Sequence, residues 1–382
     1  MQIRVLASTK VGYEMPKEEA VNFSGKSAGI CYLPDSLDTL FSEDPAKTER
    51  RAKGTLASGH HSVFGHVTYN LALEGIPKIL AMILNNEKIY NTSEKSARYT
   101  KMEPSEKEKV LYEKWIEIYQ KEIQKHYPNI DDKRSKKLAQ ENARYLISVF
   151  TPATIMEYTV SFGQLNYIAH WFENFVKNAE DTKFNAKLKK VFIEFNDKIS
   201  DLIIPELNSD VKGRTFSLFA PRARKEEFGE NYCINYEGTF AQLAQAQRHR
   251  TTYCEISFMD KPEFFVPPII KGTELENEWI KDISSLEDEF PQGLLLKINE
   301  RGTVENFIMK CQERLCGAAQ LEIAIQTKEN LNRYINAVKE NGNEEIYSYL
   351  LQYTKGARCT FPGWHCNSPC IWGAKNALNR LV

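Results

Sequence analysis

The sequence predicts an α+β protein built from two tandem modules. Three observations carry that prediction. A unit made of an alternating strand, a glycine and an apolar helix recurs about 160 residues along the chain, the mark of an internal repeat. Charged helical stretches, Glu103 to His126 and Thr182 to Leu202, lie between the copies. A turn-rich segment without periodicity, Pro205 to Asp210, separates them. The expected division is residues 1–205, residues 206–354 and a cysteine-bearing tail, residues 355–382. A chain of 382 residues can give each module a core of its own.

In chain order, Met1 to Ala7 reads as a first strand rather than a signal peptide. Residues 1–100 alternate strands and helices. Val67, Tyr69, Leu71 and Leu73 alternate with polar or small neighbours, which predicts a half-buried strand. Gly75 is expected to break it. Ile76, Ile79, Leu80, Ile83 and Leu84 then fall at helical spacing, with Pro77 tolerated in the first turn. In the second half Tyr232, Ile234 and Tyr236 alternate, Gly238 interrupts, and Phe240, Leu243 and Ala244 continue as a helix. Both turns read Glu-Gly. The second helix ends in Arg248-His249-Arg250, where the first has Asn86-Glu87-Lys88.

Apolar residues make up 42% of the chain and charged residues 26%, as in a soluble globular protein. Fifty basic against 51 acidic residues leave a formal charge of −1, so no global basic field argues for nucleic acid. The apolar run Ile76 to Leu84 is too short to span a bilayer. Eight cysteines without an export signal suggest free thiols or metal ligands in a reducing cytosol, hence a cytoplasmic location.

The flanks of the repeat resemble the flavin-dependent thymidylate synthase family. In the front module these are His60-His61-Ser62-Val63-Phe64-Gly65-His66, Glu94 followed by Ser96-Ala97-Arg98-Tyr99, and Asn142-Ala143-Arg144-Tyr145-Leu146. In the rear module they are Gln245, Arg248-His249-Arg250, and Arg314 followed, after five intervening residues, by Gln320-Leu321-Glu322-Ile323. The losses are complementary. The front module lacks the basic triplet and has Phe172 at the place of the late-helix arginine; the rear module lacks Ser-x-Arg-Tyr. Other departures touch flavin and folate contacts. Ser161-Phe162-Gly163 and Thr303-Val304-Glu305 replace Asn-x-Arg, and Gly65 replaces a glutamate.

The resemblance implies a mostly antiparallel sheet with flanking long helices in each module, and composite sites between the two halves. It implies methylation of dUMP to dTMP, with FAD as cofactor and NADPH and methylenetetrahydrofolate as co-substrates. Arg314 would stabilise the negative charge that develops across N3, O4 and C5 of the pyrimidine. Ser96, the Ala97 amide, Arg98 and Arg144 would grip the nucleotide phosphate, Glu94 the sugar, and Gln245 and Arg248 the nucleotide from the rear module. His60, Ser62, Arg248, His249 and Arg250 would hold the flavin. A homodimer of this chain would mimic the family tetramer.

The bland readings stand beside these. Arg-His-Arg is also what a solvated helix C-terminus favours, and Ser-Ala-Arg-Tyr alone is an ordinary turn. Another pyrimidine nucleotide (UMP or dCMP), or a non-catalytic nucleotide- or RNA-binding relative, would use the same arginines. Cys233, Cys254, Cys311 and Cys316 read as core thiols. In the tail, Cys359, His365, Cys366 and Cys370 could close a structural zinc site, with free thiols as the alternative.

Overall fold

The computed structural model describes residues 10, 12–30, 37–95, 104–208, 218–219, 223–367 and 370–382. The strand expected at Met1 to Ala7 lies outside them. Helices α1 (Lys17–Ala28), α2 (Leu37–Phe41) and α3 (Pro45–Ala57) precede β1 (Thr68–Ile76), α4 (Lys78–Leu84) and β2 (Tyr90–Glu94). Then come α5 (Glu106–His126), α6 (Asp132–Ala143), β3 (Thr154–Ser161), α7 (Phe162–Asn178) and α8 (Lys183–Lys198). The second half runs β4 (Glu227–Phe228), β5 (Asn231–Thr239), α9 (Phe240–Ala246), β6 (Tyr253–Phe258) and α10 (Glu274–Ser284). It ends with β7 (Leu295–Thr303), α11 (Val304–Arg314), α12 (Leu321–Glu340), α13 (Glu344–Leu351) and α14 (Gly373–Asn376). The fold is α+β, as expected.

The two sheets share one plan. Their orders are β1–β3–β2 and β4–β5–β7–β6, so in each the third long strand lies between the first two. The second sheet is antiparallel throughout, with Asn231 opposite Thr303 and Tyr253 opposite Arg301. Each central strand ends in a hydroxyl that caps the next helix: Ser161 Oγ accepts from Gln164 N at 3.2 Å, and Thr303 Oγ1 from Asn306 N at 3.4 Å.

Alternation along β1 and β5 matches the sequence reading. Gly75 does not end β1. The strand passes through it at φ +63°, a conformation that favours glycine, and stops after Ile76. Pro77, expected in the first helical turn, instead precedes α4 in extended backbone. Ile79 to Leu84 are all buried, so α4 is enclosed rather than amphipathic. The stretch expected as helical to Leu202 ends its α-helix at Lys198 and finishes as a 3₁₀ turn, Ser200–Leu202.

Contacts group the described chain into two compact units that cut across the sequence modules. One comprises residues 1–71, 89–91 and 158–214; the other comprises residues 72–88, 92–157 and 215–382. In the first, Ala20, Phe64, Phe162, Ile204 and Leu207 form a core, and Phe172 stacks on Phe192 at 3.7 Å. Phe172, at the place of the family arginine, is thus a core ring. In the second unit α5 meets α10 through Trp115 and Trp279, whose rings lie edge to face at 4.9 Å. Both indole N–H groups are satisfied, by Asp282 Oδ2 and by the Phe265 carbonyl, each at 2.8 Å. Front-module residues 72–88 and 92–157 therefore share a unit with almost all of the rear module.

Candidate functional site

The site is built inside this second unit from three groups of side chains. The first surrounds Glu94, at the end of β2. Lys78, the first residue of α4, forms an ion pair with Glu94 Oε1. Asn85 Nδ2 donates to Oε2 at 3.2 Å, and Arg248, just beyond α9, reaches the same oxygen at 3.4 Å. Burial alone would raise the Glu94 pKa, but the charges of Lys78 and Arg248 outweigh it and hold the carboxyl below its usual range. Lys78 is drawn below the ordinary lysine value, by burial first and then by Arg248 and Arg144, against the pull of Glu94.

The second group is a relay. Arg144, which follows α6, and Gln245, in the last turn of α9, both donate to Gln320 Oε1. Gln320 Nε2 donates to the Tyr145 hydroxyl, which donates to Glu322 Oε2 at 2.8 Å. Glu322 also accepts from Thr239 N at 3.0 Å and Thr239 Oγ1 at 2.9 Å. Direction along this chain is fixed. A guanidinium only donates, so Gln320 must turn its oxygen to Arg144. Gln245 must then offer its nitrogen, which leaves its own oxygen as an acceptor. Arg144 and Gln245 are buried, and among the described residues Arg144 Nε and Gln245 Oε1 have no partner. Buried polar atoms seldom stay unpaired, so both atoms point to a ligand. Tyr145, Gln320 and Glu322 also line a cavity of about 360 Å³, which gives a small molecule room beside the relay.

The third group anchors Arg314, the last residue of α11. Its Nε donates to His249 Nε2 at 2.9 Å and its Nη2 to the Gln245 carbonyl at 3.1 Å, which fixes the plane of the guanidinium. His249 is buried. Burial, then the charges of Arg314 and Lys310, push its pKa down to about 2, so it is neutral and carries its proton on Nδ1. The unfolded chain therefore binds a proton that the fold refuses between about pH 2 and pH 6.5. Stability rises with pH across that window and falls as pH drops below 6.5. His249→Gln is expected to remove up to about 1.4 kcal/mol of this slope per pH unit, read from urea unfolding midpoints near pH 5 and 6. An unchanged slope contradicts it.

Of the other expected residues, Arg250 Nη2 donates to the Thr92 carbonyl at 2.8 Å. Ser96, Ala97 and Arg98 lie outside the described residues. His60 and Ser62 are exposed and belong to the other compact unit, where Ser62 lies in the 3₁₀ turn His61–Gly65. Cys359, His365 and Cys366 are exposed, and among the described residues no three His, Cys, Asp or Glu side chains gather to hold a metal. Cys370 packs on Gly317, where a Cβ would meet its Sγ at 2.7 Å. Cys254, Cys311 and Cys316 are buried, and burial raises the Cys254 thiol to about 12, as suits a core thiol; Cys233 is half-buried.

Sequence reasoning missed Lys78, Tyr145 and the structural part played by Gln320. Lys78 had one available signal: it is the sole charged residue in an otherwise apolar helix.

No helix among the described residues is long and apolar enough to cross a membrane. No curated protein matches the chain. The family model described as thymidylate synthase complementing protein does match, over residues 15–164. The match covers the stretch that supplies Lys78, Glu94 and Arg144, which is therefore similar to the thymidylate synthase complementing proteins.

Proposed function

We propose that this chain methylates dUMP to dTMP at a site that it completes from its own front and rear modules. One observation carries the reading: Arg144 of the front module and Gln245 of the rear module converge on Gln320 Oε1. The Glu94–Arg248 ion pair repeats that convergence a short way along α9. The unpaired Arg144 Nε and Gln245 Oε1 would be satisfied by the nucleotide.

Arg314 would lie along the pyrimidine edge. Its anchored guanidinium would stabilise charge spreading over N3, O4 and C5 as C5 becomes nucleophilic. Neutral His249 orients Arg314 without adding a competing charge. Arg144 would hold the phosphate end, with Ser96, Ala97 and Arg98. Arg248 and Arg250 suit an anionic dinucleotide such as FAD: Arg248 is exposed, and its ion pair to Glu94 is long. FAD, when bound, would supply the redox chemistry, with NADPH as reductant and methylenetetrahydrofolate as carbon donor. The shared plan of the two sheets supports a tandem origin, and with it a homodimer that mimics a tetramer of single modules.

The test is tritium release from C5-labelled dUMP by the purified chain. Release is expected only with NADPH and methylenetetrahydrofolate present, and the protein should show flavin absorbance. Reaction with UMP or dCMP but not dUMP would transfer the reading to that nucleotide. Nucleotide binding without any flavin absorbance would contradict catalysis.

A further inference from the structure

We infer that Lys78 binds the phosphate of the nucleotide, beside the arginines that the sequence singles out. The inference rests on the nucleotide reading above and adds to it. Lys78 opens a helix whose next six residues are apolar and buried, and its own side chain is only 15% exposed. Removing an ammonium group from water is costly unless something compensates. The available counter-charge is Glu94, with a side chain 1% exposed.

Glu94 is shared, however. Arg248 pairs with its other oxygen, and Arg144, buried, is close enough for its charge to act on Lys78. Lys78 and Arg248 thus share one carboxylate, leaving one positive charge in excess, and the charge of Arg144 acts on Lys78 besides. A nucleoside monophosphate carries close to two negative charges at neutral pH. Its phosphate would meet that positive excess, whereas a nucleoside brings no counter-charge. An ammonium group has three donors, so Lys78 can keep Glu94 and still donate to a phosphate oxygen. Glu94 then serves to hold Lys78 and Arg248 toward the phosphate. The unpaired Nε of Arg144 independently marks the same place as wanting an acceptor.

The test compares binding of dUMP and deoxyuridine, by titration calorimetry, to wild type, Lys78→Met and Lys78→Met/Glu94→Gln. A hydrogen bond to a charged group is worth roughly a tenfold to a hundredfold in affinity. Lys78→Met is expected to lose about that much for dUMP and nothing for deoxyuridine. The double variant should stay weak, because removing the orphaned carboxylate does not restore the lost donor. Three results overturn the assignment: Lys78→Met binding dUMP like wild type, equal losses for dUMP and deoxyuridine, or recovery of dUMP affinity in the double variant. A wild-type chain that binds no dUMP overturns the nucleotide reading, and this inference with it.

Discussion

Arg314→Ala is expected to lower turnover by roughly a hundredfold to a thousandfold, the effect of removing one donor aimed at charge that develops in the transition state. The side chain is held at two points, His249 Nε2 and the Gln245 carbonyl, so its plane is set before any ligand arrives. Such preorganisation is what allows a guanidinium to act along a ring edge. Arg314→Lys should therefore rescue little, since an ammonium keeps the charge but loses the plane. Arg314 is partly exposed at a helix end, so its loss should leave the fold intact by circular dichroism. Tritium release measures the turnover. A variant retaining most of its activity would remove Arg314 from the reaction.

Glu300→Gln should cost about 3–5 kcal/mol of stability, the usual result of breaking a buried ion pair by removing one partner. Glu300, on β7, and Lys310, on α11, are both fully buried, with Nζ and Oε2 at 2.6 Å. Tyr232 OH donates to Glu300 at 2.9 Å and Tyr236 OH at 2.8 Å, so the carboxylate is held by three donors. Burial would raise the Glu300 pKa, but Lys310 and these hydroxyls hold it below the ordinary value. Neutralising Glu300 strands a buried lysine charge on the helix that carries Arg314. Adding Lys310→Met to Glu300→Gln should recover much of the loss, because the stranded charge is gone. Urea unfolding of the three variants checks this. A double variant no more stable than Glu300→Gln would mean that packing, not charge, sets the cost.

The parts of the fold legible in the sequence were those written locally. Period-two alternation located β1 and β5, although both strands run one residue past the glycines expected to end them. Of the residues that carry a family spacing, Arg144, Gln245, His249 and Arg314 lie in one compact unit. What joins them was not legible. Gln320 is separated from Arg144 by 176 residues, and no local pattern says that its oxygen serves both Arg144 and Gln245. Lys78 was hidden because a lone lysine in an apolar run reads as a solvated first turn; only the distant Glu94 and Arg248 give it a role.

Co-expression of Arg144→Ala with Arg314→Ala probes the shared site most directly. Each variant alone is expected to be inactive. On the proposal that Arg144 and Arg314 serve a site within one chain, every chain in the mixed assembly still carries a defect, and tritium release should stay at background. Substantial recovery of activity in the mixture would show that the two arginines meet across different chains, and would contradict a site completed by a single one.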